Sequence, residues 1–489
     1  GQPGPEPGMD VAEVWRPCAL GAQDNPIAAR ILSDDDHDTL NEQRAATTTS
    51  SPTMNPIALD SPAQTAAYLR TLPAIRERCG RVHALAQKGE LEYFEYHPEK
   101  EQDAAAFCVN IIKRDFGTNF TSIPPHGRWQ HLDAGRPRVR PLIAQWRASA
   151  NPPDDKEVTR RLVDLFLVSV LLDAGAGAAW KYTEGDAAFG RSEGLGVASF
   201  AMFEQGFFSA DKAQPHRVDA EALEQITPAK VAAAMQVSEA NPLVGLEGRT
   251  SLLVNLGKAL KANATYFGAS ARPGNLIDFL EAGAVDKTVH IFALWTALID
   301  GLAPIWPATR STLGGVSLGD VWPCAALKKH AAPGAPEGDD LVPFHKLTGW
   351  LTYSLVVPIK EVLGWKFEGL EHMVGLPEYR NGGLLLDLGV LSLRPGAIEA
   401  SFYPDANTGI PKLPPSHPAI IEWRAMTVIE LDRIADEIRK QLGGLTREQL
   451  SLAQVLESAT WQGGREIAKA KRPATGGPPI ESDSDGTVF

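Results

Sequence analysis

LVDLFLVSVLLDAGAGAAW, residues Leu162–Trp180, is the most apolar candidate span of this 489-residue chain. It is long enough to cross a membrane, but Asp164 and Asp173 interrupt it and its second half breaks into Ala and Gly. Carboxylates are costly at bilayer depth, and a crossing helix needs an unbroken apolar run. The span therefore predicts a buried helix in a soluble protein, followed by a small-residue turn.

Helical signals dominate on both sides of it. Ser61-Pro62-Ala63-Gln64 combines a capping hydroxyl, a proline at the first helical position and a glutamine three residues on. Thr227-Pro228 does the same before Val231–Val237. Leu243, Leu246, Leu253, Leu256 and Leu260 recur at helical spacing, as do Ile421, Val428, Leu431, Ile434, Ile438 and Leu442. Gly443-Gly444 should stop that last helix, and Thr446-Arg447-Glu448-Gln449 should open another. Strand signals are few, at Leu91–Tyr96 and Leu384–Leu393. The expected fold class is mainly α, a large helical domain with few short strands.

The net charge of −13 is uneven: residues 1–53 carry −6 and residues 473–489 carry −3, leaving −4 on the rest. Both ends are poor in core formers, so a disordered extension (1–53) and a disordered tail (473–489) should flank a helical domain over 54–472. That domain has possible sub-lobes, 54–150 and 151–472, meeting near Asn151–Lys156. Its near-neutral balance argues against a nucleic-acid partner. Four scattered cysteines without a C-x-x-C pair exclude a disulfide framework and a Cys-rich zinc site. The N-terminus has no basic start followed by an apolar run, so a cytoplasmic protein without a membrane partner is expected. No H-E-x-x-H, H-x-H, Walker loop or strand-following G-x-G-x-x-G occurs, so neither a metal nor a cofactor is expected.

Candidate chemistry gathers in four places. Gly190-Arg191-Ser192-Glu193-Gly194 matches the G-x-S-x-G elbow of serine hydrolases, but that elbow needs a buried strand before it. Here the polar stretch Lys181–Ala188 reads as a loop, so Ser192 more simply opens a helix. His126, Arg128 and His131, followed by Arg136, Arg138, Arg140 and Arg147, form a basic loop able to hold a phosphate or merely to be solvated. Asp173 with Trp180, Tyr182, Arg191 and Glu193 outlines a niche for a small polar ring, or else close helix packing. His345-Lys346 and Glu378-Tyr379-Arg380-Asn381 lie in segments rich in hydrogen-bonding groups, a composition that surface loops also share.

In this order, Ile123–Asp133, Leu172–Tyr182, Gly190–Ser209 and Phe367–Asp387 resemble the fungal and bacterial uracil-catabolism protein 4 family, over about Ala58–Arg472. The resemblance implies a role in a pathway that degrades uracil, carried as a ribosyl derivative, to ribosylurea and finally urea. A fainter likeness to the queuosine-salvage N-glycosidases rests on Leu167–Tyr182, Gly190–Gly206, Phe344-His345-Lys346 and Glu378-Tyr379-Arg380. It implies an all-α fold similar to that of DNA glycosylases, and the reaction type. The base specificity does not carry over. Glu378 stands where that family has Asp, Arg191-Ser192-Glu193 replaces an aromatic pair, and Asn381 replaces an apolar residue.

The expectation is an N-glycosidase-type hydrolase that cleaves the N-ribosyl bond of ribosylurea or its phosphate, a small-molecule ribosyl or urea substrate. Glu378 or Asp173 would stabilise the oxocarbenium-like sugar or take a proton from water, the other holding ribose hydroxyls. Lys346 or Arg380 would neutralise a phosphate or polarise the urea oxygen. Tyr379 and Asn381 would bind urea, Trp180 and Tyr182 would wall the pocket, and His126, Arg128 and His131 would hold phosphate. Arg191, Glu193 and His345 complete the substrate-binding set. Two alternatives stay open: a serine-type amide or ester hydrolase using Ser192, and a non-catalytic helical partner contacting other uracil-catabolism enzymes.

Overall fold

Helices carry nearly all of the computed structural model, which describes residues 59–483. The elements that frame the site are helices α1 (Leu72–Gln87), α2 (Glu101–Phe116), α3 (Asp155–Leu171), α4 (Arg191–Glu204), α5 (Leu246–Ala262), α6 (Lys346–Leu363), α7 (Tyr379–Asp387), α8 (Pro418–Gln441) and α9 (Trp461–Lys471). α3 and α6 pack along one another, α1 and α2 lie against α8, and α7 lies against α9. The helix α3 bears out the reading of the opening span: Asp154 caps it by accepting from the Glu157 N–H at 2.8 Å. Asp164 sits in its apolar middle because Arg272 and the Val218 and Gly274 N–H groups bind its carboxylate. Arg249 on α5 donates to the Leu172 and Gly175 carbonyls and so fixes the turn that follows α3.

Among the described residues strands are short and pair in twos; they include β1 (Phe94–Tyr96), β2 (Lys181–Glu184), β3 (Ala187–Gly190), β4 (Leu391–Leu393), β5 (Lys412–Leu413) and β6 (Glu481–Ser482). β1 pairs antiparallel with β4, Phe94 opposite Leu393. Of the strand expected over Leu384–Leu393, Leu391–Leu393 forms. Leu384 and Leu385 belong to α7, capped by Glu378, and only the last three residues extend.

Four expectations need correction. The predicted lobes share one apolar core that includes Trp146, Phe166 and Trp423, with no division near residues 151–156. The tail predicted to be disordered is structured through residue 483. Ile480 is buried, and β6 pairs parallel with β5 through the Glu481 N–H to the Pro411 carbonyl. Lys181–Ala188, read as a loop, forms most of the β2–β3 hairpin. Thr446 and Gln449 do make the reciprocal capping bonds, yet the helix begins only after Ser451, which makes its own box with Gln454. The extension 1–53 lies outside the described residues. Among the described residues no helix is long and apolar enough to cross a membrane.

Candidate active site

The site is built where α6 and α7 begin. The chain enters α6 through His345, held in the left-handed region at φ 45°, while the Lys346 N–H donates to the Asp320 carboxylate at 3.0 Å. Asp320 and Arg424, both 0% exposed, form a two-bond ion pair at 2.8 Å, and the Arg424 Nε donates to the Pro377 carbonyl. One buried ion pair therefore clamps the residues before Lys346 and those before Glu378. Glu378 caps α7, accepting from the Arg380 N–H at 2.8 Å and the Asn381 N–H at 2.6 Å. Burial pushes its carboxyl above the usual range even so, against those bonds and the nearby Lys346 cation.

Burial lowers the Lys346 ammonium, and the carboxylates of Asp173 and Glu378 oppose it, with the Arg424–Asp320 pair acting in both directions behind them. Among the described residues that ammonium makes no hydrogen bond. Asp173, just past α3, has one oxygen 2.6 Å from Arg128 Nη1, while the other accepts from Trp350 Nε1 at 3.0 Å. Trp350 lies one helical turn beyond Lys346, so the two share a face.

Arg128 is wholly buried and joins this centre to a ring-lined wall. Its Nε donates to Ser169 Oγ at 2.7 Å and its Nη1 to His131 Nδ1 at 3.0 Å, while its Nη2 has no partner. Burial and the Arg128 charge hold His131 neutral, far below its ordinary range. The imidazole lies between the rings of Trp350 and Trp461, at 5.7 and 5.4 Å. His126 meets Glu457 at 2.5 Å and Trp350 at 4.6 Å. Glu457 stands on a π-helical turn, Leu456–Thr460, a widening that often marks functional sites and here delivers Trp461 and Arg465. Arg465 pairs with Glu193, whose second carboxylate oxygen is buried without a partner.

Beyond Glu378, the Arg380 guanidinium donates to the Gly476 carbonyl and the Arg191 guanidinium to that of Thr475, each at 3.0 Å. Asn381 donates to the Leu376 carbonyl, leaving its own amide oxygen buried and unpartnered. The Tyr379 ring lies 5.1 Å beneath the Arg380 guanidinium. Gly464 on α9 has no room for a side chain, because a Cβ there would meet the Arg380 carbonyl.

Asp173, Lys346 and Glu378 thus come together, joined through Arg128 to His131, Glu193 and His126. Three expected substrate contacts do not join them. Trp180 is wholly buried, its ring against Gly194 and its N–H on the Met235 carbonyl, so it supports α4 and walls no pocket. Tyr182 is buried on the hairpin within reach of Glu184 and Arg138. His345 turns away and hydrogen-bonds the Leu69 carbonyl at 2.7 Å. The rings beside this centre are instead Trp350 and Trp461, which the sequence did not signal, and the same holds for Arg465, Glu457, Asp320 and Arg424. Arg136 and Arg138 are bound to Glu184, Arg140 to Glu361 and Arg147 to Asp155, away from the centre. As for Ser192, the left-handed residue of its turn is Arg191, and no imidazole among the described residues hydrogen-bonds its hydroxyl. Nor does any group of three or more His, Cys, Asp or Glu among them suit a metal ion.

The buried His345 gives a pH test of this scaffold. Burial lowers its imidazole to about 4, from about 6.5 when unfolded. Between those values the unfolded chain binds more protons, so the contribution is full above about pH 6.5 and lost as pH falls toward 4. His345→Gln removes the titration but keeps a donor for Leu69. Guanidinium unfolding should show the wild type losing about 3 kcal/mol against the variant from pH 7 to pH 4. A gap that stays constant across that range would contradict the burial of this imidazole.

A family model described as "Protein of unknown function (DUF1688)" matches residues 68–489. Uracil catabolism protein 4 of Lachancea kluyveri is 43% identical over 439 residues, covering 86% of this chain and 98% of its own length. Protein urg3 of Schizosaccharomyces pombe is 43% identical over 428 residues, covering 87% of this chain and 99% of its own.

Proposed function

This chain belongs to the family described as "Protein of unknown function (DUF1688)", and from that premise we propose that it acts in uracil catabolism by hydrolysing the N-ribosyl bond of ribosylurea or its phosphate. The observation that carries the chemistry is the unbonded Lys346 ammonium between two carboxylates in different surroundings. A helical body of the queuosine-salvage N-glycosidase type is part of this reading. The name of the Lachancea relative supports the pathway.

In the proposed reaction the bond from C1 of the ribose to the urea nitrogen breaks and water adds at C1, giving the sugar and urea. Positive charge develops on C1, and a charged carboxylate beside it lowers the barrier. Asp173, paired with Arg128, supplies that charge and accepts the proton of the attacking water. Glu378 has the opposite character. Burial favours its protonated form, so it hands a proton to the leaving nitrogen. Lys346 binds the urea oxygen as the C–N bond lengthens. Tyr379 and Asn381 are the further polar contacts, and Trp350 and Trp461 exclude water from one side. Incubating the purified protein with ribosylurea and with its 5′-phosphate, and measuring urea, tests the reading. Release from either supports it, and none from both overturns it.

A further inference from the structure

Arg191 and Arg380 donate to neighbouring carbonyls and stand together without an ion pair among the described residues. Arg380 is 3% exposed, and Arg191 and Arg465 both lie within its electrostatic reach, with Glu378, whose carboxylate is taken up by two helix-capping N–H groups, as the nearby acid. Arg465 has Glu193 as its partner. Neither Arg191 nor Arg380 makes an ion pair with a carboxylate among the described residues; each meets a backbone carbonyl, of Thr475 or Gly476. Neighbouring guanidiniums in a water-poor place repel one another, and carbonyl oxygens supply hydrogen bonds without negative charge. Arg191 is also held at φ 52°, a backbone conformation costly for a side chain of its size.

The carbonyls belong to a strap that is fastened at both ends. At the near end Arg472 grips Asp387 at 3.0 and 2.6 Å and donates to the Gly477 carbonyl. At the far end Ile480 is buried and the Asp483 N–H donates to the Leu413 carbonyl. Between them Pro473, Ala474 and Thr475 are exposed. Among the described residues, the arch meets the site through those two carbonyls.

We propose that Arg191 and Arg380 are an anion site for a phosphomonoester, latched in this structure by the chain's own C-terminal strap, whose Thr475 and Gly476 carbonyls stand where phosphate oxygens would bind. Two guanidiniums match the two negative charges of a phosphomonoester, and their planar forks suit its oxygens. The inference deepens the proposed function and rests on it: the ribosyl compound at Lys346 is selected as its phosphate, and the ligand displaces the latch.

Calorimetric titration of the full-length protein with ribose 5-phosphate and with ribose tests this. Ribose 5-phosphate should bind about 100-fold more tightly than ribose. Arg191→Gln and Arg380→Gln should each weaken it about tenfold or more while leaving ribose affinity unchanged. Circular dichroism confirms folding, and the half-buried Arg191 keeps the test valid should the Arg380 variant unfold. Equal affinity for the two sugars, or wild-type ribose 5-phosphate affinity in the folded variants, overturns the site. The titration needs no turnover. Arginine-dependent ribose 5-phosphate binding without urea release would leave the site standing and remove the glycosidase reading. Urea release with unaltered binding in the variants would do the reverse.

Discussion

Asp173→Asn is expected to cost about 3–5 kcal/mol of folding stability, because removing one partner of a buried ion pair strands the other. The stranded group is Arg128, wholly buried, with Asp173 Oδ1 2.6 Å from its Nη1. The other contacts of its guanidinium are to one serine hydroxyl, an imidazole nitrogen and a carbonyl, and none carries negative charge. The same substitution keeps the shape that accepts the Trp350 N–H but removes the charge opposite the sugar cation. Urea release should therefore fall by about 10²–10³-fold in whatever fraction stays folded. Denaturant unfolding read beside turnover per folded molecule checks both halves. Stability within about 1 kcal/mol of wild type would show that Arg128 does not depend on Asp173.

Glu378→Gln should separate the two properties. Gln is nearly isosteric, and its amide oxygen can still accept one of the two helix-capping bonds now made to the Arg380 and Asn381 N–H groups. Losing the second bond costs about 1 kcal/mol. The proton needed by the leaving nitrogen is gone, and turnover should drop by about 10²–10⁴-fold. Near-normal turnover would leave Glu378 as a helix cap alone. A stability loss comparable to that of the Asp173 variant would mean that its charge, and not its cap bonds, holds α7 in place.

Much of this was legible in the sequence. Helix starts declared by Ser61-Pro62 and Thr227-Pro228 formed where the capping rules place them, since those bonds are local. Asp173, Lys346 and Glu378 stood out because charged or capping groups beside apolar helices and paired glycines are chemically conspicuous. The misses share a physical cause: they depend on partners far along the chain or on side-chain direction. Asp320 and Arg424 are 104 positions apart, and neither looks unusual until they meet. Trp350 sits in an apolar helical stripe, where an indole reads as core. Trp461 and Arg465 are aimed by a π-helical turn, which has no local signature comparable to a cap or a proline. Trp180 failed in the other direction: Asp173 does lie beside Lys346, but the indole seven residues on points back into the core. The strap was missed because a segment poor in core formers reads as disorder, whereas its anchors, the Arg472–Asp387 pair, the buried Ile480 and the β5–β6 bonds, join partners far along the chain.

Asp173 and Glu378 each have firm partners, whereas the Lys346 ammonium makes no hydrogen bond among the described residues, and the proposed function assigns it to the urea oxygen. Single-turnover urea release from ribosylurea and its phosphate, with wild type and Lys346→Met compared at equal folded concentration, probes that lysine directly. The account predicts urea from the wild type and a rate at least about 100-fold lower in the variant. Equal rates from the two proteins, or no urea from the wild type, would contradict it.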